Sequence, residues 1–240
     1  MCLDFMRGEK KMIPKVIHYC WFGLESMSKK AEICINSWKK YCPDYEIIEW
    51  NESNFNINQN AYTKMCYEKK KYAFLTDYVR LYVLEKYGGI YMDTDVEIIK
   101  PLDDLLNEKA YFGFEDNKHI NTGEGCGAEA HNPVIQDMLK EYDDLLDGTK
   151  GMIGCPILNT KAVKKLGLKL DGSLQQMEHC TIYPADYFNP YDDPTGRLNC
   201  TSNTYSIHWY AKTWMSKGTV LRSKMTKPLH RLQAYFKKRK

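Results

Sequence analysis

Two aspartates one residue apart, Asp93 and Asp95, interrupt the apolar run from Ile90 to Ile99 in the stretch YGGIYMDTDVEIIK. Carboxylates resist burial among apolar side chains, and two at this spacing repel each other. A divalent cation between or beside them relieves both costs. Oxygen ligands suit Mg2+ or Mn2+, which keep waters and complete their shell with substrate phosphates, so the pair points to a nucleoside diphosphate. On a single strand, residues two apart project to the same side. The competing reading makes them ordinary loop aspartates capping the turn before Pro101, and a bare D-x-D is too common to decide between the two.

Three further positions bear on that choice. Between Ala73 and Leu84, the polar residues other than tyrosine are Thr76, Asp77 and Arg80, a narrow stripe on an otherwise apolar helix. Asp77 and Arg80 are three apart and share a face. They form either an internal salt bridge or a polar edge, with Asp77 accepting from sugar hydroxyls and Arg80 donating to ligand oxygens. Trp21 follows an apolar run, where its indole either stacks on a nucleobase or packs in the core. Near the other end, SIHWYAKTW gathers His208, Trp209 and Trp214. His208 is either a third metal ligand or a satisfied histidine beside aromatic packing.

These residues need elements to position them. IPKVIHYCWFG, Ile13 to Gly23, reads as a first strand and its loop, and YEIIEW, Tyr45 to Trp50, as a second. Lys29 to Tyr41 has apolar residues, Ile33 and Trp38 among them, at helical spacing and stops before Pro43. Tyr72 to Gly89 is a helix apolar almost all round, ended by a glycine pair and running straight into the strand with the aspartates. Strand, helix, strand, helix, strand predicts an α/β sheet with binding at the carboxyl ends of its strands. No Walker loop is present, and NTGEGCGAE, Asn121 to Glu129, is not a dinucleotide fingerprint.

The 240 residues suffice for one α/β domain and an appended segment. The division expected is a leader over 1–11, the domain over 12–215 and a tail over 216–240. No apolar run reaches the ~18 residues of a membrane span. Nine scattered cysteines without a C-x-x-C pair fit reduced thiols, and the N-terminus lacks a secretory apolar region, so the expected location is cytoplasmic. No Asp or Glu follows Asp193, whereas 11 of the 34 Lys and Arg do, leaving 23 basic against 31 acidic residues in positions 1–193. In that tail Leu229, Leu232, Tyr235 and Phe236 share a helical face beside a basic cluster, which suggests peripheral contact with anionic membrane. Nucleic acid is not expected, since the body holds no recognised binding module.

The blocks IPKVIHYCWFG, FLTDYVRLYVLEKYGGIYMDTDVEII and SIHWYAKTW together closely resemble the D-x-D sugar-binding glycosyltransferases of family 32, over roughly Ile13 to Trp214. That resemblance implies the GT-A fold, Rossmann-like with a mostly parallel central sheet flanked by helices. It also implies a nucleotide-sugar donor, UDP- more than GDP-linked, and retention of anomeric configuration. It assigns Trp21 to the base, Asp77 and Arg80 to the donor sugar, Asp95 to the metal, and Asp93 to the ribose and sugar beside the metal. The last block resembles a closing H-H-x-x-x-S-W motif, with Trp209 in place of the second His and Thr213 in place of the Ser. Thr213 would then approach the metal shell and Trp214 the diphosphate. The acceptor expected is a glycan or lipid-linked saccharide in bacterial surface or capsular polysaccharide synthesis. The alternatives are a sugar nucleotidyltransferase, which would show a basic glycine-rich loop where this chain reads WFGLESMSKK, and a non-catalytic nucleotide-sugar binding protein.

Overall fold

The computed structural model describes residues 13–212 and 217–237. Thr213 and Trp214 lie outside them, as do residues 1–12 and the side chains of Leu229, Leu232, Tyr235 and Phe236. In chain order the main elements are β1 (Val16–Cys20), α1 (Lys29–Tyr41), β2 (Glu46–Trp50), α2 (Ala61–Glu68), α3 (Tyr72–Tyr87), β3 (Gly89–Tyr91) and β4 (Val96–Ile98). There follow β5 (Ala110–Asp116), β6 (His119–Asn121), β7 (Cys126–Ala128), α4 (Pro133–Lys140) and α5 (Cys155–Lys165). The chain closes with β8 (Gln175–Gln176), β9 (Thr181–Tyr183), β10 (Tyr191–Asp192), β11 (Arg197–Leu198), β12 (Ser206–His208) and α6 (Lys217–Lys237).

The central sheet has the order β2-β1-β3-β7-β5-β9-β8, with β6 beside β5. β1 pairs in parallel with β2 and β3, and β5 with β9, whereas β7 runs antiparallel between β3 and β5. Five strands, β1, β2, β3, β5 and β9, therefore point one way, and their carboxyl ends form a common edge. Helices cover the sheet. Leu75, Val79, Leu81, Val83 and Leu84 of α3 are wholly buried, and at ~25 cal/mol per Å2 of apolar surface such residues dominate the folding energy.

α1 forms where the sequence predicts, started by Ser28, whose hydroxyl accepts the Ala31 N–H. Its inward face is Ala31, Cys34, Ile35 and Trp38, while Ile33 is exposed, one step round the helix from the expected stripe. α3 ends at Gly88 and Gly89, both at positive φ. A Cβ on Gly88 would meet the Ala130 nitrogen at 2.7 Å and one on Gly89 the Val16 oxygen at 2.8 Å, so both positive φ and close packing demand glycine there.

One expectation fails. Ile90 to Ile99 is not a single strand: β3 belongs to the central sheet, whereas β4 pairs with β12 in a separate two-stranded ribbon. The chain turns between them, the Val96 N–H donating to the Asp93 oxygen at 3.0 Å. Asp93 and Asp95 lie in this turn, so alternation along a strand does not align them.

Candidate active site

The two aspartates are nevertheless brought together by what surrounds the turn. Asp93 sits two residues beyond Tyr91, which is in register with His18 on β1, so Asp93 and Trp21 leave the sheet at the same edge. From α3, Arg80 directs Nη2 at both Asp93 carboxylate oxygens, at 2.8 and 3.1 Å. Its Nη1 lies 3.3 Å from Asp77, 3.2 Å from the Thr122 hydroxyl and 3.1 Å from Cys155 Sγ, and its guanidinium carbon lies 4.9 Å from the Tyr91 ring centre. Arg80 is 2% exposed. Asp77 accepts the Cys155 N–H at 3.0 Å, tying the start of α5 to α3. The internal salt bridge allowed by the sequence therefore exists, and it extends to Asp93.

Asp93 also accepts from the Tyr91 hydroxyl at 3.1 Å, while its N–H donates to the Gly123 oxygen at 3.0 Å. A Cβ on Gly123 would fall 2.3 Å from Asp93 Oδ2 and 3.1 Å from Arg80 Nη1. Gly123, in the NTGEGCGAE stretch, thus forms the wall behind Asp93.

Asp95 is held from the opposite side. Its carbonyl accepts the Trp209 N–H at 2.9 Å and its Oδ2 accepts the Ala211 N–H at 2.6 Å. β12 lies antiparallel to β4 with His208 opposite Val96, which carries the imidazole to the turn, Nε2 at 3.4 Å from Asp95 Oδ1. The His208 ring stacks on Tyr210 with centres 4.0 Å apart.

The environments split the two acids. Burial pushes Asp93 above the ordinary carboxylate range against the pull of Arg80, and Asp95 adds to the rise. Burial acts on Asp95 in the same sense, but the His208 charge and the Ala211 N–H outweigh it and hold Asp95 at about 2. Burial works to lower His208, and the Asp95 carboxylate overcomes it, so His208 titrates above its usual value.

Asp93, Asp95 and His208 each offer a ligand atom, all within 4.8 Å of one another. His208 Nδ1 is buried without a partner among the described residues, so the ring keeps a spare nitrogen. Two carboxylates and an imidazole fit a divalent cation.

Trp21 is half-buried. Its Nε1 donates to the Glu25 oxygen at 2.7 Å and its N–H to the Trp50 oxygen at 2.9 Å. Two residues on, the Gly23 N–H donates to Glu52 at 2.7 Å, and Gly23 is pressed against the Tyr72 ring. Thr122, Gly123, Cys155 and Ala211 belong to the site and escaped the sequence reading. Only the glycine-dense Asn121–Glu129 stretch carried any signal of them. Beside this wall, Glu124 is fully buried, and among the described residues neither of its carboxylate oxygens has a hydrogen-bond partner. Burial, with Glu115 and Asp116 nearby, drives it well above the usual range.

Residues 28–112 match the family model described as glycosyltransferase sugar-binding region containing DXD motif. The chain is 34% identical over 140 residues to inositol phosphoceramide mannosyltransferase 3 of Schizosaccharomyces pombe, covering 55% of this chain and 38% of that one. It is 29% identical over 216 residues to an uncharacterized glycosyltransferase, L373, of Acanthamoeba polyphaga mimivirus, covering 85% and 84%. The PaToxG glycosyltransferase superposes with TM-score 0.51 at 23% identity, over 65% of this chain and 70% of that one, which bears out the GT-A fold. The chain spans about a third of the length of the yeast relatives it matches, 34% and 38%.

Proposed function

We propose that this chain is a DXD-containing glycosyltransferase of the family 32 kind and that it moves a hexosyl group from a nucleoside-diphosphate donor, UDP- in preference to GDP-linked, with retention at the anomeric carbon. The observation that carries this reading is the convergence of Asp93, Asp95 and His208 beside the buried Asp77–Arg80 pair.

In this reading Asp95 is the principal metal ligand. Both Asp93 oxygens already accept from Arg80 Nη2, so its charge is largely matched, whereas Asp95 has only a neutral amide and the titratable His208 against it. His208 would have to be neutral to ligate, and Asp93 would complete the set. A divalent cation bound there would neutralise charge growing on the diphosphate as the glycosidic bond breaks. Asp93 and Asp77 face the donor sugar and ribose as hydroxyl acceptors, with Arg80 fixing the orientation of both. With 2% exposure Arg80 acts chiefly on its neighbours. Trp21 supplies the face against which the base stacks, and Thr213 and Trp214, outside the described residues, keep the roles the resemblance gives them.

The acceptor proposed is a glycan or lipid-linked saccharide of a bacterial surface polysaccharide, built at the cytoplasmic side. The eight cysteines among the described residues are all unpaired, in keeping with a reducing compartment. Nucleotidyl transfer is disfavoured by the loop after β1, where the Glu52 carboxylate accepts the Gly23 N–H and the sequence WFGLESMSKK is not a basic glycine-rich cradle. Nucleotide release from a panel of UDP- and GDP-sugars, with and without Mn2+, tests the assignment. Metal-dependent release from one donor supports it. Binding without release from any donor, with or without acceptor saccharides, leaves a binding protein, and pyrophosphate-dependent cleavage to a sugar phosphate makes it a nucleotidyltransferase.

A further inference from the structure

The last helix has two faces with different surroundings. Ser223, Lys227 and Arg231, four residues apart and therefore on one face, are turned to the body of the protein. The Ser223 hydroxyl accepts from Lys212 Nζ at 2.7 Å, Lys227 Nζ reaches the Tyr191 hydroxyl at 2.7 Å and Asp193 at 3.4 Å, and Arg231 Nε donates to the Thr195 oxygen at 2.6 Å. α6 is thereby fastened along the β10–β11 hairpin. About half a turn round the helix stand Leu221 and Met225, 60% and 71% exposed, with Arg222 exposed beside them. The sequence continues that spacing through Leu229, Leu232 and Phe236. Apolar residues repeated along a solvent-facing helix mark a surface that is covered in use.

Charge identifies the cover. Residues 194–240 contain 11 Lys and Arg and no Asp or Glu. A second copy of this helix would set like charge against like, whereas an anionic surface complements it. An apolar stripe flanked by cations is the pattern of helices that lie in the headgroup region of acidic bilayers. We propose that the face of α6 carrying Leu221 and Met225 docks on an anionic membrane, while its Ser223–Lys227–Arg231 face stays latched to the hairpin. The helix then acts as a fixed mounting, since its inward cations are already engaged by Asp193, Tyr191 and Thr195. This surface is independent of which donor is used.

The test is co-sedimentation of the full chain with vesicles of neutral phosphatidylcholine and of phosphatidylcholine with phosphatidylglycerol. The wild type is expected to sediment with the acidic vesicles and to be released by salt. The double variant Leu221→Glu, Met225→Glu is expected to bind about tenfold or more weakly, because it removes apolar contact and adds like charge at the surface. Its melting temperature and nucleotide release should match those of the wild type. Failure of the wild type to bind acidic vesicles overturns the proposal, and so does equal binding by the double variant. A wild type that is dimeric in solution beside a monomeric double variant overturns it in favour of a second copy.

Discussion

The backbone N–H of Ala211 donates to Oδ2 of Asp95 at 2.6 Å, across 116 residues of chain. With the His208 imidazole on the other oxygen, it makes Asp95 a structural acceptor as well as a candidate metal ligand. The repulsion from Asp93 suggested by the sequence is therefore not the dominant force on this carboxylate.

Asp95→Asn should accordingly cost stability even without metal. A carboxyl held at about 2 instead of its ordinary 3.8 contributes about 2 kcal/mol when ionised. Because the folded pKa is depressed, that contribution is present above pH ~4 and disappears as pH falls toward 2. Melting with and without Mn2+ and UDP checks both roles. The variant is expected to melt earlier and to lose the ligand-induced rise, and a retained rise with normal nucleotide release removes Asp95 from the metal site.

Arg80→Lys keeps the charge but not the fork. One ammonium cannot span Asp93, Asp77, Thr122 and Cys155 at the distances Arg80 achieves. Arg80→Met leaves two acids facing each other and should cost roughly 3 kcal/mol, the low end for a broken buried pair, since the Asp93 side chain is 30% exposed. The lysine variant should fall between methionine and wild type in urea unfolding. Stability equal to wild type for both would mean that the fork contributes nothing.

Gly123→Ala tests the wall behind Asp93. The added methyl would overlap Asp93 Oδ2 at 2.3 Å, so the carboxylate must swing away from Arg80. Nucleotide release should drop and the Mn2+ response weaken, with far-ultraviolet circular dichroism unchanged. Normal Mn2+ titration of this variant would show that Asp93 has no fixed place in the site.

Trp21→Ala should lower the affinity for free UDP by roughly 1–3 kcal/mol, the range for a lost base–aromatic stack. Isothermal titration measures it directly. Unchanged affinity assigns the indole to packing beneath the loop that its Nε1 already braces through Glu25.

Glu124 gives a pH signature. Its folded pKa is raised, so the folded state holds the proton more tightly than the unfolded chain, whose carboxyl titrates near 4.5. The Glu124 contribution to stability should be greatest below that pH and decline as pH rises from there toward the folded value. Glu124→Gln removes this decline and should be more stable than wild type at neutral pH, because folding no longer has to take up a proton there. Parallel melting curves with the same pH slope in both proteins would count against it.

Much of the frame was legible in the sequence because local patterns agreed with the tertiary outcome. Ser28 caps α1, the glycine pair ends α3, and Trp21 and Asp93 both fall just past parallel strands. The split of Ile90–Ile99 into β3 and β4 was not legible, since a continuous apolar run carries no mark of a change of sheet. Cys155 and Ala211 were hidden for another reason. They act through backbone N–H groups, which every residue type except proline supplies, so sequence offers no chemical label for them. Gly123 was visible only as one glycine among several.

The antiparallel strand β7 carries a consequence for the order of assembly. Cys126–Ala128 alone, among the described strands, bridges β2-β1-β3 to β5-β9-β8. A chain emerging from the ribosome completes β5 before β7, so β5 shares no hydrogen bonds with β2-β1-β3 until these three residues slot between them, and β9 and β8 join β5 only afterwards. Sheet closure is then a non-local and slow event. Gly123 reaches Asp93 in the same movement, and Ala211 reaches Asp95 later still, so the aspartates are among the first chemically important residues made and the last to be housed.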